Sequence, residues 1–158
     1  MFKLITKTIA AVAIVSVALL GSANAKTLKI ETHFTANSPN GEVAAQFAKN
    51  VEMFSGGSLK VEMFYSSSVS GKSAEVFNSA QTGIIDCDMT GAGYQTGKNA
   101  AFQFAGDVMG GYDTPYQQYD FLKFPGAQDA VDNLYNKYGM TLIGWWIPGH
   151  ESLSLIHI

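Results

Sequence analysis

The chain has 158 residues, ten basic and thirteen acidic, with a formal charge of −3, and 47% of it is hydrophobic. That is enough apolar material for one domain with a packed core, and it excludes a disordered chain. All ten basic residues are lysines and they form no run, which argues against nucleic-acid binding, where a basic stripe is required.

Residues 1–25 read as a secretory signal. Lys3 and Lys7 supply the positive region, Ile9 to Leu20 is an uncharged and mostly apolar run, and Ala23-Asn24-Ala25 offers small residues at the cleavage-determining positions. The alternative is a single membrane anchor. The run is short for a span of about 20 residues, so cleavage after Ala25 is the preferred reading. Removing Lys3 and Lys7 leaves eight lysines against thirteen acids, a charge of −5.

A strand is expected at Lys29–Thr32, running into His33-Phe34. Ser38 suits a helix cap, and Pro39 suits the first helical position, where no N–H is needed. Val43, Ala44, Phe47, Ala48, Val51 and Phe54 recur at the spacing of a helix with one buried face. Ser55-Gly56-Gly57 stops it, and Leu59–Tyr65 alternates as a half-buried strand does. Lys72–Thr82 reads as a second helix, ended by Gly83, and Ile84–Thr90 as a third strand. Two β-α units in succession predict a parallel sheet with helices on its faces. Ligands of such sheets bind beyond the carboxyl ends of the strands. Those ends are His33-Phe34, the Ser66–Gly71 loop and Thr90–Tyr94.

Several residues in this stretch invite chemistry. Asp86 and Asp88 lie two apart on one strand face, a spacing open to acid–base work or metal binding, or to a solvated strand end or cap. With no third ligand at useful spacing, the second reading is preferred. Cys87 is the only cysteine, read as a small buried hydrophobe rather than a nucleophile. Gly91–Lys98 imitates a phosphate loop but has five residues where four are needed, and no Ser or Thr follows the lysine. A loop presenting Tyr94 at a strand end is preferred over an ordinary surface turn. Among the histidines, His33 and His150 have no metal-spaced partner, and His33 carries more weight for binding because the first strand exits there.

Further along, Thr114-Pro115-Tyr116-Gln117 opens a helix with a capping box. Ala127, Ala130, Val131, Leu134, Tyr135 and Tyr138 mark another from Gly126 to Tyr138, ended by Gly139. Met140–Ile147 is expected as a strand, stopped by Pro148-Gly149. Its Trp145 and Trp146 form either an aromatic wall for a ligand, or one core residue and one at a domain junction. Leu153–Ile158 is the translation of CTG TCT CTT ATA CAC ATC, the mosaic end of a transposon used to fragment DNA for sequencing. It is read as an adapter scar over residues 153–158 rather than a terminal strand, so genuine protein is expected over 26–152.

These residues resemble the extracytoplasmic solute-binding proteins of TRAP transporters, the dicarboxylate-binding type, from Leu28 to about Ser152. The markers are Asn37-Ser38-Pro39-Asn40-Gly41, Val51–Leu59 with its Ser55-Gly56-Gly57, and Ala80–Asp86. Phe34, Cys87, Thr90, Tyr94 and Gly97-Lys98 followed by Phe102 resemble the branch that binds 2-oxo acids, and Gly144–Gly149 resembles the family near its first crossing between lobes. The resemblance implies an α/β, periplasmic-binding-protein-like fold of two lobes, with only the first lobe and the start of the crossing present. It implies a small carboxylate ligand, a 2-oxo acid or a dicarboxylate, captured in the periplasm and passed to the membrane permease subunits of a TRAP transporter driven by an ion gradient. The carboxylate-clamping arginine, and in the oxo-acid branch a metal site, are expected downstream. Phe34 and Tyr94 match positions that face ligand in relatives. His33, Thr90 and Gly71 are added as substrate-binding candidates from their location alone.

No nucleophile–base pair or metal constellation stands out, so the expectation is a binding protein, not an enzyme, without catalytic residues, metal or cofactor of its own. Two other readings remain open: an ABC-type substrate-binding protein, and a fragment of a secreted hydrolase.

Overall fold

A computed structural model of the protein describes residues 25–106, 108 and 111–147. The signal sequence before Ala25, the Pro148-Gly149 stop, His150, the boundary at Ser152 and the 153–158 segment lie outside the described residues.

β1 (Lys26–Thr32) runs through a short loop into α1 (Pro39–Phe54). Ser38 caps α1 as its type predicts: its backbone is extended and its hydroxyl accepts from the Gly41 N–H at 3.1 Å. Gly41 is required by a close approach, since a Cβ there would lie 2.1 Å from the Thr35 carbonyl oxygen. α1 ends at Ser55, and Gly56 and Gly57 follow with φ of 61° and 81°, the left-handed region that glycine adopts without strain. The Gly57 N–H returns to the Glu52 carbonyl at 3.1 Å. The chain thus reverses into β2 (Leu59–Phe64), which is tied to α1 where the Val61 N–H donates to Glu52 Oε1 at 2.9 Å.

A turn of 3₁₀ helix at Ser73–Glu75 leads into α2 (Val76–Gln81), and β3 (Cys87–Met89) follows. The sheet is parallel, in the order β2-β1-β3. β1 is central, and its last three residues, Ile30, Glu31 and Thr32, are buried. Two further 3₁₀ segments, Ala92–Gln95 and Ala100–Phe104, precede α3 (Pro115–Lys123) and α4 (Pro125–Asn136). Thr114 caps α3 through the Gln117 N–H at 3.2 Å, and the Gln117 side chain reaches back to the Asp113 N–H at 2.8 Å, one residue earlier than a capping box requires.

The core lies against α2 and α4. Phe77, Ala92, Phe102, Ala105, Val131 and Leu134 form one buried cluster, with Tyr135, Tyr138, Met140, Leu142 and Trp145 packed on it. Phe77 and Phe102 meet edge to face at 5.7 Å, a favoured aromatic geometry.

Two expected strands are corrected. The third strand covers only Cys87–Met89 of the expected Ile84–Thr90. Ile84 and Ile85 are held back by N–H bonds to the Ser79 carbonyl at the end of α2, so they close a turn and do not join the ladder. The expected strand Met140–Ile147 has no strand partner among the described residues. Its Met140 N–H returns to the Tyr135 carbonyl at 3.2 Å, and Met140, Leu142 and Trp145 pack on the core cluster. A short apolar run alone cannot distinguish a paired strand from a chain laid over a core. Among the described residues no helix is long and apolar enough to cross a membrane.

Candidate functional site

The three strands run parallel, so their carboxyl ends share one edge, and an open cleft of about 990 Å³ lies there. His33 and Phe34 enter it from the end of β1, and Asp88, Thr90 and Tyr94 from β3 and the loop after it. Residues 139–147, including both tryptophans, line it from beyond α4.

The aromatic residues form a connected corner. The His33 ring lies 3.9 Å from Phe34 and meets Tyr94 edge-on at 5.3 Å. Phe34 in turn lies 5.9 Å from Trp146. Burial pushes the His33 imidazole below its ordinary pKa, favouring the neutral ring. Its Nδ1 and the indole Nε1 of Trp145 are buried without a hydrogen-bond partner among the described residues. Both residues line the cleft, with these two nitrogens on their buried sides. Both tryptophans line the cleft; Trp145 also packs on the core cluster, and Trp146 lies against Phe34.

The acidic residues separate into different tasks. Asp86 continues the ladder: its N–H donates to the Lys29 carbonyl at 2.8 Å, and its carboxylate accepts the Lys29 N–H at 2.9 Å. Asp88 accepts the Thr90 hydroxyl at 2.6 Å. Burial pushes Asp88 up to about 6; the charge of Glu31 adds to this, and the hydrogen bonds from Thr90 oppose it. Burial, then Asp86 and Asp88, push the Cys87 thiol up, away from the reactive thiolate. Among the described residues no three His, Cys, Asp or Glu side chains stand together as a metal site.

Of the five residues singled out, the cleft wall brings together Phe34, Tyr94, His33 and Thr90. Gly71 is not on that wall; its φ of 77° and its N–H bond to the Ser67 carbonyl at 2.7 Å show it closing the loop after β2. The same loop holds the site from behind. Ser66 and Ser67 donate to the carbonyls of Phe34 and Thr32, at 3.0 and 3.1 Å. Glu31, fully buried, accepts the N–H groups of Val69 at 2.6 Å and Ser70 at 3.2 Å, and the Ser70 hydroxyl. Lys98, the residue that invited a phosphate-loop reading, points elsewhere: it bonds Asn78 Oδ1 at 2.6 Å and lies over the Phe77 ring. Sequence reasoning missed Glu31 as a support and Tyr135 as a wall residue. No local signal marked either residue: β1 carries Lys26 and Lys29 as well as Glu31.

A parallel sheet with an aromatic cleft beyond its carboxyl edge is where α/β folds place their ligands. The model of one family, bacterial extracellular solute-binding protein, family 7, matches residues 30–154, and the chain belongs to that family. The fold is similar to a TRAP periplasmic solute-binding protein from Rhodobacter sphaeroides in an apo open structure: TM-score 0.72 and 27% identity over 78% of this chain and 39% of that one. Another, from Pseudoalteromonas atlantica with bound sodium and pyruvate, gives 0.67 and 20% over 73% and 35%. A third, from Bordetella bronchiseptica with calcium and picolinate, gives 0.66 and 19% over 74% and 34%. The chain therefore spans about two fifths or less of these solved relatives. No curated protein matches the sequence.

Proposed function

We propose that this protein captures a small organic acid, a 2-oxo acid or a dicarboxylate, in the periplasm and delivers it to the permease subunits of a TRAP transporter. Residues 1–25 are the export signal, cleaved after Ala25, and residues 26–152 contribute mainly the first lobe. The observation that carries the proposal is the cleft at the carboxyl edge of the sheet, where Phe34, Thr90 and Tyr94 stand together inside the span matched by the family. A small carboxylate ligand is supported by the pyruvate, a 2-oxo acid, and the picolinate bound in two relatives of the same fold. The periplasmic location is supported by the names of the relatives and by the pattern of Lys3, Lys7 and Ala23-Asn24-Ala25. The TRAP relatives favour this over the ABC-type and hydrolase readings, and a family of binding proteins favours binding without catalysis.

A ligand that binds only the native state stabilises it by about 2.7 kcal/mol at 100 times its dissociation constant. Thermal-shift screening of the mature full-length protein against 2-oxo acids, dicarboxylates, sugars and amino acids is the test. An upward shift with organic acids alone is expected. A shift with a sugar or amino acid, and none with any organic acid, would overturn the proposal.

A further inference from the structure

We infer that Ser66 is a positioning residue for the cleft: its left-handed backbone, and not its side chain, fixes Phe34 on the wall that meets the ligand. The inference rests on the organic-acid reading above and deepens it. Among the described residues, Ser66 and Ser67 are the only two other than glycine with a positive φ, 58° and 51°. Elsewhere glycine takes this backbone, as at Gly56, Gly57 and Gly71. A side chain there crowds its own carbonyl, so the conformation persists only where the surroundings impose it.

Two consecutive N–H groups impose it. The Ser66 N–H donates to the Phe34 carbonyl at 3.0 Å, and the Ser67 N–H to the Thr32 carbonyl at 3.1 Å. In an extended strand successive N–H groups point to opposite edges, so only one of the two would reach the end of β1. The backbone of Ser66 lies between them, and its left-handed turn brings both to the same side. They close on the carbonyls that flank His33. The rest of the loop is anchored in the core. The Gly71 N–H returns to the Ser67 carbonyl at 2.7 Å, buried Glu31 holds the N–H groups of Val69 and Ser70, and the Ser70 hydroxyl meets the Ser79 hydroxyl of α2 at 2.7 Å.

Phe34 lies beyond the reach of the sheet. The last β1–β2 pair is Glu31 with Phe64, and the last β1–β3 pair is Thr32 with Met89. The Phe34 N–H has a long bond, 3.4 Å, to Thr32 Oγ1, so the shorter bond from Ser66 is the firmer hold on its backbone. The Phe34 ring stands between His33 and Trp146 in the cleft. Ser66 is exposed and is not among the residues lining the cleft, so it acts on a ligand through Phe34.

The test compares Ser66→Val and Ser66→Gly in the mature full-length protein. The probe is whichever of pyruvate, 2-oxoglutarate and succinate the unaltered protein binds most tightly by calorimetry. Valine keeps the N–H, but its branched side chain opposes the left-handed backbone. The fraction of molecules with Phe34 in place should fall, and the dissociation constant should rise by that fraction, about tenfold. Glycine takes this backbone without strain and removes the hydroxyl, so Ser66→Gly should bind as the unaltered protein does. A residue that only stabilised the fold would change the melting temperature and leave the affinity of the folded molecules as it was. Unchanged affinity in folded Ser66→Val, or equal weakening in both variants, would overturn the inference and leave the organic-acid reading intact. A second measurement needs no variant and decides the matter if Ser66→Val does not fold. Since a bond that favours binding is favoured by binding to the same extent, saturating probe should slow hydrogen exchange at the Ser66 amide of the unaltered protein. Exchange there that the probe does not move would overturn the inference. Failure of all three acids to bind the unaltered protein would overturn the organic-acid reading, and the inference with it.

Discussion

Tyr94 is 47% exposed and meets the His33 ring edge-on across the cleft, with little packing beneath it. Its loss should therefore weaken binding more than it weakens the fold. Tyr94→Ala is expected to raise the dissociation constant several-fold, since one hydroxyl contact is worth about 0.5–1.5 kcal/mol, while the melting temperature stays nearly constant. Unchanged affinity by calorimetry would return Tyr94 to an ordinary surface turn. Glu31 is the opposite case, fully buried and not among the residues lining the cleft. Glu31→Ala strands the backbone N–H groups of Val69 and Ser70, at about 1–3 kcal/mol for each buried group left unpaired, while the Ser70 hydroxyl keeps the Ser79 hydroxyl as a partner. Glu31→Gln keeps an acceptor for the N–H groups, and the Ser70 hydroxyl can turn to accept from its amide. Chemical denaturation should therefore show the alanine variant clearly less stable than the glutamine variant. Equal loss in both would mean that the charge of Glu31, and not its hydrogen bonds, holds the Ser66–Gly71 loop.

At the scale of elements, the start of α1 is the most tightly determined piece of the fold. Ser38 caps the helix, Pro39 fills its first turn, and Gly41 lies under the Thr35 carbonyl. Gly41→Ala forces the helix and the His33–Ser38 loop apart, and overpacking of this kind costs about 1–3 kcal/mol. A lowered melting temperature together with weaker ligand binding is expected, because the same loop carries His33 and Phe34. A stable variant with full affinity would show that the approach at Gly41 relaxes without moving the site. This part of the fold was legible in the sequence because its signals are local: a cap, a proline, a left-handed glycine pair and a clear helical period. The elements misread were those decided by distant partners. Ile84 and Ile85 have strand-like side chains, yet their N–H groups bond to Ser79. Met140–Ile147 is an apolar run bounded like a strand, yet Met140, Leu142 and Trp145 pack on the cluster of Phe77 and Phe102, residues far away in sequence. The strand ends that the sequence marked, at His33, Phe34, Thr90 and Tyr94, line the cleft, and Gly71 lies in the loop after β2, off that wall.

At the scale of the molecule, the described lobe presents one aromatic and acidic wall of a cleft, on a sheet whose order places every strand end on the same edge. Several large apolar side chains elsewhere stand open, among them Tyr116 and Phe124. The central claim is that ligand binds against the wall built by Phe34 and Tyr94. The most direct measurement is a crystal structure of the mature full-length protein with the organic acid that stabilises it most. The account predicts ligand atoms in van der Waals contact, about 4 Å, with Phe34 and Tyr94. A ligand seated away from the carboxyl edge of this sheet, with both rings out of contact, would contradict it.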